Sequence, residues 1–429
     1  MDGVDGIRLE RFRQLRKDIR GSEKHLIVGI DIAKEKHYAF FGTANGKTLL
    51  KRLVFENDLD GFKKLMTHVR AVKVQNDLDK VVFGFEPTGN YHKPLAEHLI
   101  KCAQEVVLVA GTAVKKNREL LDGRWDKHDT KDSANVADLI SQGKCLFYEY
   151  PIMALRELRS LLSLKRRLKK LEHGTKVRIR NNLLAQYFPE LDRYFGNMSK
   201  CSLGVVKWCL EPAVIVGLEY EEFLRRVAPG KLTLKQREHV KRIWETAVYS
   251  VGCDAGESMQ FEAKMMVEEL QHLRDRISEV EKRIEDICLQ FPEYNYLLTI
   301  PGFGKDISSK VLGAIGNPFR FDSAKQVLKL AGWDLSANRS GKNSARAVPV
   351  ISKKGKADLR YGLYQAARVA SCKNQYFIKY YTDKLSQRVR EKGIKTKMRV
   401  KLAAKLLVIA WTLMKKQEAF DPAYLELST

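Results

Sequence analysis

The sequence predicts a mixed α/β domain at residues 25–150, a region of long helices at 151–292 and a helical domain at 293–429, after a basic leader at 1–24. Three observations support this division. Short apolar runs alternate with helical patterns in the first region, apolar residues spaced by three and four run through the second, and compact helical patterns fill the third. The predicted fold class is therefore α/β followed by α-helical.

The sheet is expected to begin with a three-stranded antiparallel meander. Its strands are the apolar runs His25–Asp31, His37–Thr43 and Leu49–Phe55, and Asn45-Gly46 is a turn signal. Two further strands, Val81–Glu86 and Glu105–Ala110, alternate with helices that start near Asn57 and Asn90. This alternation after a meander predicts a mixed sheet that is covered by helices.

Two long helices are predicted in the middle region. The first runs from Ile152 to about Phe188 and carries ten Lys and Arg against two Glu between Arg156 and Arg180. The second runs from about Asp254 to Leu289 and has a heptad seam at Ala263, Met266, Leu270, Leu273, Ile277, Val280, Ile284 and Ile287. The seam predicts a coiled coil, either with the first helix or with a second copy of the chain, although simple packing on a core would give the same pattern. Residues 189–250 carry no motif that we can name.

The net charge of +25 predicts a polyanionic partner, and nucleic acid is the first candidate. Residues 293–429 hold 26 Lys and Arg against 10 Asp and Glu, whereas residues 25–150 hold 19 against 17. We therefore expect polyanion binding mainly in the C-terminal part. The N-terminal part keeps a carboxylate-rich character that would repel phosphate unless metal ions intervened.

The seven Cys are scattered and contain no CxxC pair, which argues against a zinc module and fits a reduced cytoplasm. No run approaches the ~20 apolar residues of a membrane helix, and the N-terminus lacks the apolar stretch of a signal peptide. A soluble cytoplasmic protein is expected, without a membrane partner.

Four carboxylates form the candidate active site. Asp31 and Glu86 end two predicted strands, and Asp129 and Asp132 lie three apart at a predicted helix start. Convergence of four carboxylates would be repulsive, and a pair of divalent cations, Mg²⁺ or Mn²⁺, would stabilise them and serve phosphodiester chemistry. The alternative is that Asp31 is a helix cap and that Asp129 and Asp132 are first-turn residues that favour the helix dipole. We assign no ligand role to His37 or His128.

Two motifs in the C-terminal region point to phosphate. The segment IPGFG at Ile300–Gly304 resembles a helix-hairpin-helix, in which Gly302, Gly304 and the next helix N-terminus would offer N–H groups to a DNA backbone; packing alone is the alternative. The loop Ala331–Arg346 places Ser340 among Arg339, Lys342 and Arg346. A Ser beside cations could attack or hold a phosphate, but Ser-Gly is far more often a turn.

Taken together, these motifs resemble the DEDD transposases of the insertion-sequence one-ten family, including its eleven-eleven branch and the Piv-like DNA invertases. The segments that carry the resemblance are GIDIAKEKH at 29–37, EPTGNY at 86–91, KHDTKDS at 127–133, and then IPGFG, IGNPFRF, AG and Ser340-Gly341 in the order of the family.

The resemblance implies an RNase H-like (RuvC-like) metal site at Asp31, Glu86, Asp129 and Asp132 with Ser340 as the nucleophile that joins DNA phosphate. It also implies donor and target DNA and a structured bridge RNA that guides the enzyme. That RNA would be held by the basic helix, with Arg166, Arg167, Lys169 and Lys170, and by the basic tract at 350–405, which includes Lys353 and Lys354. A homo-oligomer, dimer or tetramer, is expected, in a bacterial cytoplasm and on the nucleoid when active.

Three other functions compete with this interpretation. A RuvC-like Holliday-junction nuclease would use the same carboxylates with water and would not need Ser340. A small-molecule kinase of the actin-like ATPase class is suggested by VGIDIAK at 28–34, but the sequence lacks a later Asp-Gly-Gly adenosine motif. A non-catalytic RNA-binding protein is favoured only if divalent metal does not bind the four carboxylates.

Overall fold

The computed structural model describes residues 13–122, 129–148, 150–195, 200–336, 350–385 and 388–422. Contacts divide the chain into two compact units. The first unit comprises residues 1–152 with 319–322, and the second comprises 153–318 with 323–429. No helix in the described ranges is both long and apolar enough to cross a membrane.

The N-terminal unit contains one six-stranded sheet in the order β3-β2-β1-β4-β5-β6. Its strands are β1 (His25–Asp31), β2 (Lys36–Thr43), β3 (Thr48–Glu56), β4 (Lys80–Phe85), β5 (Glu105–Leu108) and β6 (Leu146–Phe147). The first three strands pair antiparallel, β1, β4 and β5 pair parallel, and β6 returns antiparallel to β5. The predicted meander and mixed sheet are confirmed.

Helices cover both faces of this sheet. They are α1 (Leu59–Gln75), α2 (His92–Lys101), α3 (Gly111–Asp122) and α4 (Asp129–Ser141). Alternate residues of β1 enter different cores: Val28 packs with α1 and α2, whereas Ile27 packs with Val136 and Ile140 of α4. Burial on both faces explains why β1 is a continuous apolar run.

Residues 13–19, which the sequence analysis assigned to the leader, form a helix on this unit. Leu15 and Ile19 are buried in the same cluster as Ile27. The side chains of Arg16 and Arg20 donate to the carbonyls of Gly143 and Gln142, just after α4. Part of the basic leader therefore completes the sheet domain.

Two long helices, α5 (Met153–Arg178) and α11 (Glu257–Cys288), pair side by side in the second unit. Ion pairs join Lys165 to Glu281 and Arg178 to Glu269, so the helices run antiparallel. The heptad helix thus packs on the first helix of the same chain, and a coiled coil between chains stays a prediction.

The buried seam of α11 departs from the predicted one at both ends. Val267 and Cys288 are buried where Met266 and Ile287 were expected, and those two are only partly buried. A straight α-helix has 3.6 rather than 3.5 residues per turn, so its buried stripe drifts away from a strict heptad.

A helical segment with its own core lies between these two helices in sequence. A π-helical turn at Ile179–Leu184 ends α5, and it is followed by α6 (Ala185–Tyr187), a 3-10 turn (Pro189–Tyr194), α7 (Lys200–Trp208), α8 (Pro212–Val216), α9 (Tyr220–Val227) and α10 (Leu234–Ala247). Phe188, Phe195 and Phe223 are fully buried in this core together with Val267 and Leu270 of α11.

The C-terminal region is helical, as predicted. Its elements are α12 (Pro292–Leu298), α13 (Lys305–Ile315), a 3-10 turn (Pro318–Arg320), α14 (Ala324–Ala331), β7 (Leu335–Ser336), β8 (Val350–Ile351), α15 (Ala357–Lys373), α16 (Gln375–Leu385) and α17 (Ile394–Lys416). The largely buried α17 packs on α15, and β7 pairs antiparallel with β8.

Candidate active site and nucleic-acid surfaces

Asp31 and Glu86 lie at the same end of the sheet. Asp31 is the last residue of β1, Glu86 follows β4, and the two strands are parallel with Ile30 opposite Phe85. Both side chains are partly buried. The strand register therefore brings two of the predicted carboxylates to one edge.

The Glu86 carboxylate lies over the N-terminus of α3. A Cβ atom at Gly111, the first residue of that helix, would overlap Oε1 of Glu86 and would lie 3.2 Å from its Cδ. A side chain at position 111 would therefore displace the carboxylate from this place. The helix N-terminus favours the negative charge.

A pair of glycines sets the position of α4, which carries Asp129 and Asp132. Gly29 and Gly84 are register partners in β1 and β4. A Cβ at Gly29 would lie 2.5 Å from the backbone N of Ala137 and closer still to the carbonyl of Ser133, and one at Gly84 would overlap Ile140. The helix backbone thus rests directly on the sheet. Asp132 directly precedes Ser133, which takes part in this contact. On the sheet side, Gly29 lies two residues before Asp31.

The carboxylate of Asp132 is buried and paired. It is 4% exposed, and its Oδ1 accepts a hydrogen bond of 2.7 Å from Nε of Arg118 in α3. A buried network ties the same two helices together, since Asn117 donates to Asn135 at 2.8 Å and to Asp138 at 2.7 Å. The sequence analysis missed Arg118 and Asn117; the only sequence signal is their one-turn spacing from Val114, which is buried on the same helix.

The donor set of Asp31, Glu86 and Asp132 suits a hard divalent cation, because all three offer carboxylate oxygens. Among the described side chains, no three His, Cys, Asp or Glu are close enough together to hold a metal ion. Asp129 is not among the residues whose side chains are described, and Oδ1 of Asp132 accepts a hydrogen bond from Arg118. Metal binding at these carboxylates therefore stays a prediction.

The Ser340 segment lies outside the described residues, together with Arg339, Lys342 and Arg346. The ribbon of β7 and β8 flanks it. At the base of this ribbon, Ser352 hydrogen-bonds Asp334, and Gly332 packs closely on Gly355. Lys353 and Lys354 are exposed beside it, and their contact with a nucleic-acid backbone stays a prediction.

The basic face of α5 separates into structural and accessible cations. Lys165 is buried and its ammonium contacts both Asp306, at 2.6 Å, and Glu281, at 2.9 Å. Burial disfavours the charged form of Asp306, but Lys165 and Lys310 outweigh it and hold the pKa of Asp306 below its ordinary value. Lys165 therefore ties α5 to α13 and is unsuited to contact RNA.

The four cations of α5 that were predicted to hold RNA are exposed, namely Arg166, Arg167, Lys169 and Lys170. Arg166 pairs with Asp358 at 3.1 Å, and Lys169 pairs with Glu172 at 3.4 Å. Arg167 and Lys170 form no ion pair with a carboxylate in the described part of the chain. These two are the most accessible candidates for a phosphate contact on α5.

Part of the Gly-rich turn between α12 and α13 is packed against another helix. Gly302 has φ of 89°, and a Cβ there would lie 2.5 Å from the carbonyl oxygen of Ala366 in α15. Gly304 is exposed, with open space around it. Of the two glycines, Gly304 is thus the one placed to approach a phosphate, and the helix-hairpin-helix function stays a prediction.

This fold and carboxylate arrangement define a class. A mixed sheet of this strand order, with acidic residues after β1 and β4 and on the helix that covers them, is consistent with a DEDD nuclease domain of the RNase H-like type. A family model for DEDD transposases of the IS110 type matches residues 28–189, and a second one, for transposases of the IS116/IS110/IS902 family, matches residues 294–382. The two matches together cover more than half of the chain, which belongs to this transposase family.

Two relatives are pilin gene-inverting proteins, from Moraxella lacunata and from Moraxella bovis. Each is 32% identical over 203 residues, which are 44% of this chain and 59% of the relative. The aligned part therefore spans about three fifths of the relatives' length. The resemblance predicted from the motifs is confirmed, and residues 190–293 lie outside both family matches.

Proposed function

We propose that this protein is a transposase or recombinase that cuts and rejoins DNA strands. The observation that carries the proposal is the arrangement of Asp31, Glu86 and α4 at one end of the sheet, within the segment that matches the DEDD transposases. The name of the two Moraxella relatives describes inversion of a gene segment, which is a recombination reaction of this kind. The basic C-terminal region supplies a surface for the DNA backbone.

In this proposal, Asp31, Glu86, Asp129 and Asp132 hold two divalent ions, Mg²⁺ or Mn²⁺. Such ions neutralise charge on the attacking and leaving oxygens of a phosphodiester. The chain's own residues hold the site in place: the glycine pair fixes α4, and Gly111 makes room for Glu86. Arg118 balances the charge of Asp132 until an ion replaces it.

The test replaces each carboxylate with its amide: Asp31→Asn, Glu86→Gln, Asp129→Asn and Asp132→Asn. We expect each variant to fold and to lose strand cleavage, because the amide keeps the volume but weakens metal binding. Asp138→Asn is the matched control, since Asp138 also lies on α4 but bonds Asn117 and Gln142. Cleavage by Asp129→Asn at the wild-type rate in Mg²⁺ would contradict the site.

For the step that cuts a strand and keeps its phosphate on the protein, we propose Ser340 as the nucleophile. Its Oγ would attack the DNA phosphorus, its proton would pass to a neighbouring base, and the bond from phosphorus to the leaving sugar oxygen would break. The released hydroxyl can reverse the reaction on the phosphoserine and rejoin a strand. Arg339, Lys342 and Arg346 would stabilise the charge on phosphate.

Ser340 has no carboxylate closer in sequence than Asp334, so the acidic site must come to it from the N-terminal domain. We propose that a partner subunit supplies that site in a homo-oligomer. Denaturant quenching should trap DNA on wild-type protein but not on Ser340→Ala, and mixing Ser340→Ala with Asp31→Asn should restore activity. Absence of an adduct during cleavage would favour water as the nucleophile, as in a junction nuclease. Mixed oligomers that form but stay inactive would exclude sharing.

We also propose that a structured guide RNA binds the accessible cations of α5. Arg166, Arg167, Lys169 and Lys170 support this because all four are exposed. Replacing Arg167 and Lys170 with Gln should weaken RNA binding and lower its salt dependence, with metal affinity unchanged. Unchanged RNA affinity would move the site elsewhere, for example to the tract that includes Lys353 and Lys354.

A further inference from the structure

A large cavity lies in the helical segment that neither family match covers. Its volume is about 1050 Å³, at the upper end of the ~300–1,000 Å³ range of ligand pockets. It is bounded by α7, by the loop between α9 and α10, and by the first half of α11. These elements are held together by their own buried core.

The lining of this cavity carries excess positive charge. Four cations, Lys207, Arg226, Lys231 and Lys264, face a single carboxylate, Glu257. Two of them are engaged, because Lys207 pairs with Glu268 at 2.9 Å and Arg226 pairs with Glu222. Neither Lys231 nor Lys264 forms an ion pair with any carboxylate in the described ranges, and both are exposed.

Aromatic side chains line the same cavity as Lys231 and Lys264. Phe261 of α11 lines the cavity and is 67% exposed, so its ring is accessible to a ligand. Trp208 is partly buried, with the guanidinium of Arg226 5.2 Å from its ring centre and the Phe223 ring against its edge. The cavity thus combines an exposed ring, an aromatic–guanidinium plane and two exposed cations that form no ion pair within the described ranges.

Several interactions fix the shape of the cavity. The side chain of Gln260 accepts from the backbone N of Leu210 and donates to the carbonyl of Lys207 at 2.9 Å, so it fastens the end of α7 to α11. Gly204 lets α7 lie against the carbonyl of Val227, where a Cβ would clash. The capping box of Thr233 and Gln236 sets the start of α10. The site is therefore formed before a ligand arrives.

We propose that this cavity binds an unpaired nucleotide of a single-stranded segment, with its base against Phe261 and its phosphate on Lys231 and Lys264. Single-stranded nucleic acid is bound by stacking on aromatic rings or Arg planes, with cations along the backbone. A duplex keeps its bases stacked inside and cannot offer one to the ring. The unpaired nucleotide comes either from an RNA loop or from a displaced DNA strand. The inference rests on the proposed function in one respect only, namely that the protein binds nucleic acid.

The experiment uses the full chain and fluorescence anisotropy with three labelled probes: a 15-nucleotide oligoriboadenylate, the deoxy equivalent and a 15-base-pair DNA duplex. Phe261→Ala should weaken single-strand binding by roughly tenfold, since stacking is worth ~1–3 kcal/mol per base. Lys231→Ala with Lys264→Ala should weaken it similarly and lower the salt slope by about 1.4. Duplex affinity should change by less than about twofold, because the duplex does not enter the cavity.

Matched controls come from the same segment. Met265→Ala removes another exposed apolar side chain from α11 that does not line the cavity, and Lys235→Ala with Arg237→Ala removes two exposed cations of α10 that do not line it. Both controls should keep wild-type single-strand affinity. The probe that loses more affinity in Phe261→Ala identifies RNA or DNA as the source of the nucleotide.

Three results would overturn the proposal: unchanged single-strand binding in both cavity variants, an equal loss of duplex binding, or an equal loss in the controls. Each of them leaves the proposed function standing, provided that wild-type protein binds duplex DNA. If the wild-type chain binds none of the three probes at low salt, the proposed function fails as well.

Discussion

The sheet domain and the middle helical segment place their candidate functional side chains in different ways. Both are built around fully buried aromatic residues, such as Phe83 in the sheet and Phe223 among the helices. In the sheet, Asp31 and Glu86 share an edge because neighbouring parallel strands end there. In the middle segment, Phe261 of α11 and Lys231 of the loop between α9 and α10 line one cavity only because these elements pack together.

This difference decides which sites a sequence can show. Strand ends are local features, so a carboxylate that follows an apolar run can be read directly as a site candidate. Cavities between helix sides have no such marker, since each contributing residue looks like ordinary surface. The middle segment therefore has no recognisable motif although it contains a cavity of about 1050 Å³.

The largest expected effect is a loss of stability from a glycine substitution in the sheet domain, whereas the matched substitution in a long helix is tolerated. Gly29→Ala should lower the free energy of unfolding by about 3 kcal/mol or more, the upper end for overpacking, because its Cβ would meet the backbone of α4. Gly174→Ala is the matched change in α5, where nothing lies within 4 Å of the new Cβ. It should stabilise by ~0.5–1 kcal/mol. Urea unfolding measures both, and a neutral Gly29→Ala would disprove the close packing of α4.

The second largest expected effect is a difference in stability between variants of two neighbouring cations of α5, Lys165 and Arg167. Lys165→Met leaves Glu281 and Asp306 without their shared partner and should lower the free energy of unfolding by about 2 kcal/mol, less than for a fully buried pair because both carboxylates are about half exposed. Arg167→Met should change it by less than about 0.5 kcal/mol and should weaken RNA binding instead. Equal stability of the two variants would mean that Lys165 is not structural.

A smaller loss of stability, caused by removing a helix cap, tests whether the two units unfold together. Asp58 caps α1 of the sheet domain through a 2.8 Å bond from Gly61, and Thr233 caps α10 of the middle segment. Replacing either with Ala should cost about 1 kcal/mol. If the units unfold independently, each change shifts one calorimetric transition only. A common shift of a single transition would show that the chain unfolds as one cooperative unit.

The smallest expected effect is a pH dependence that is stronger in the sheet domain. Burial lowers the pKa of both His25 and His92. Their folded pKa values lie below that of the unfolded chain, about 6.5, so protonation favours unfolding and stability falls as the pH drops through and below that value. Hydrogen exchange at pH 7.5 and 5.5 should show β1 and β4 losing more protection than α15, which contains no His. His25→Gln with His92→Gln should flatten this change; an undiminished loss would assign it to other groups.

The strands were predicted well because their signals are local. The predicted β1 matches the observed His25–Asp31, and the second and third strands differ by one residue at their ends. The first long helix was predicted from Ile152 to about Phe188, and helical backbone runs from Met153 to Tyr187, with a π-helical turn at Ile179–Leu184 that the sequence pattern did not show. The helix at 13–19 was missed because its basic residues hid the spacing of Leu15 and Ile19.

The sequence by itself determined the fold class, the family and the identity of the candidate carboxylates, because apolar periodicity and motif order are written along the chain. The tertiary structure decided that Arg118 pairs with Asp132, that Lys165 is structural while Arg167 is accessible, and that Phe261 opens into a cavity. The physical reason is that burial and charge pairing depend on which distant segments pack together. Side chains of the same type one or two positions apart can therefore have opposite roles.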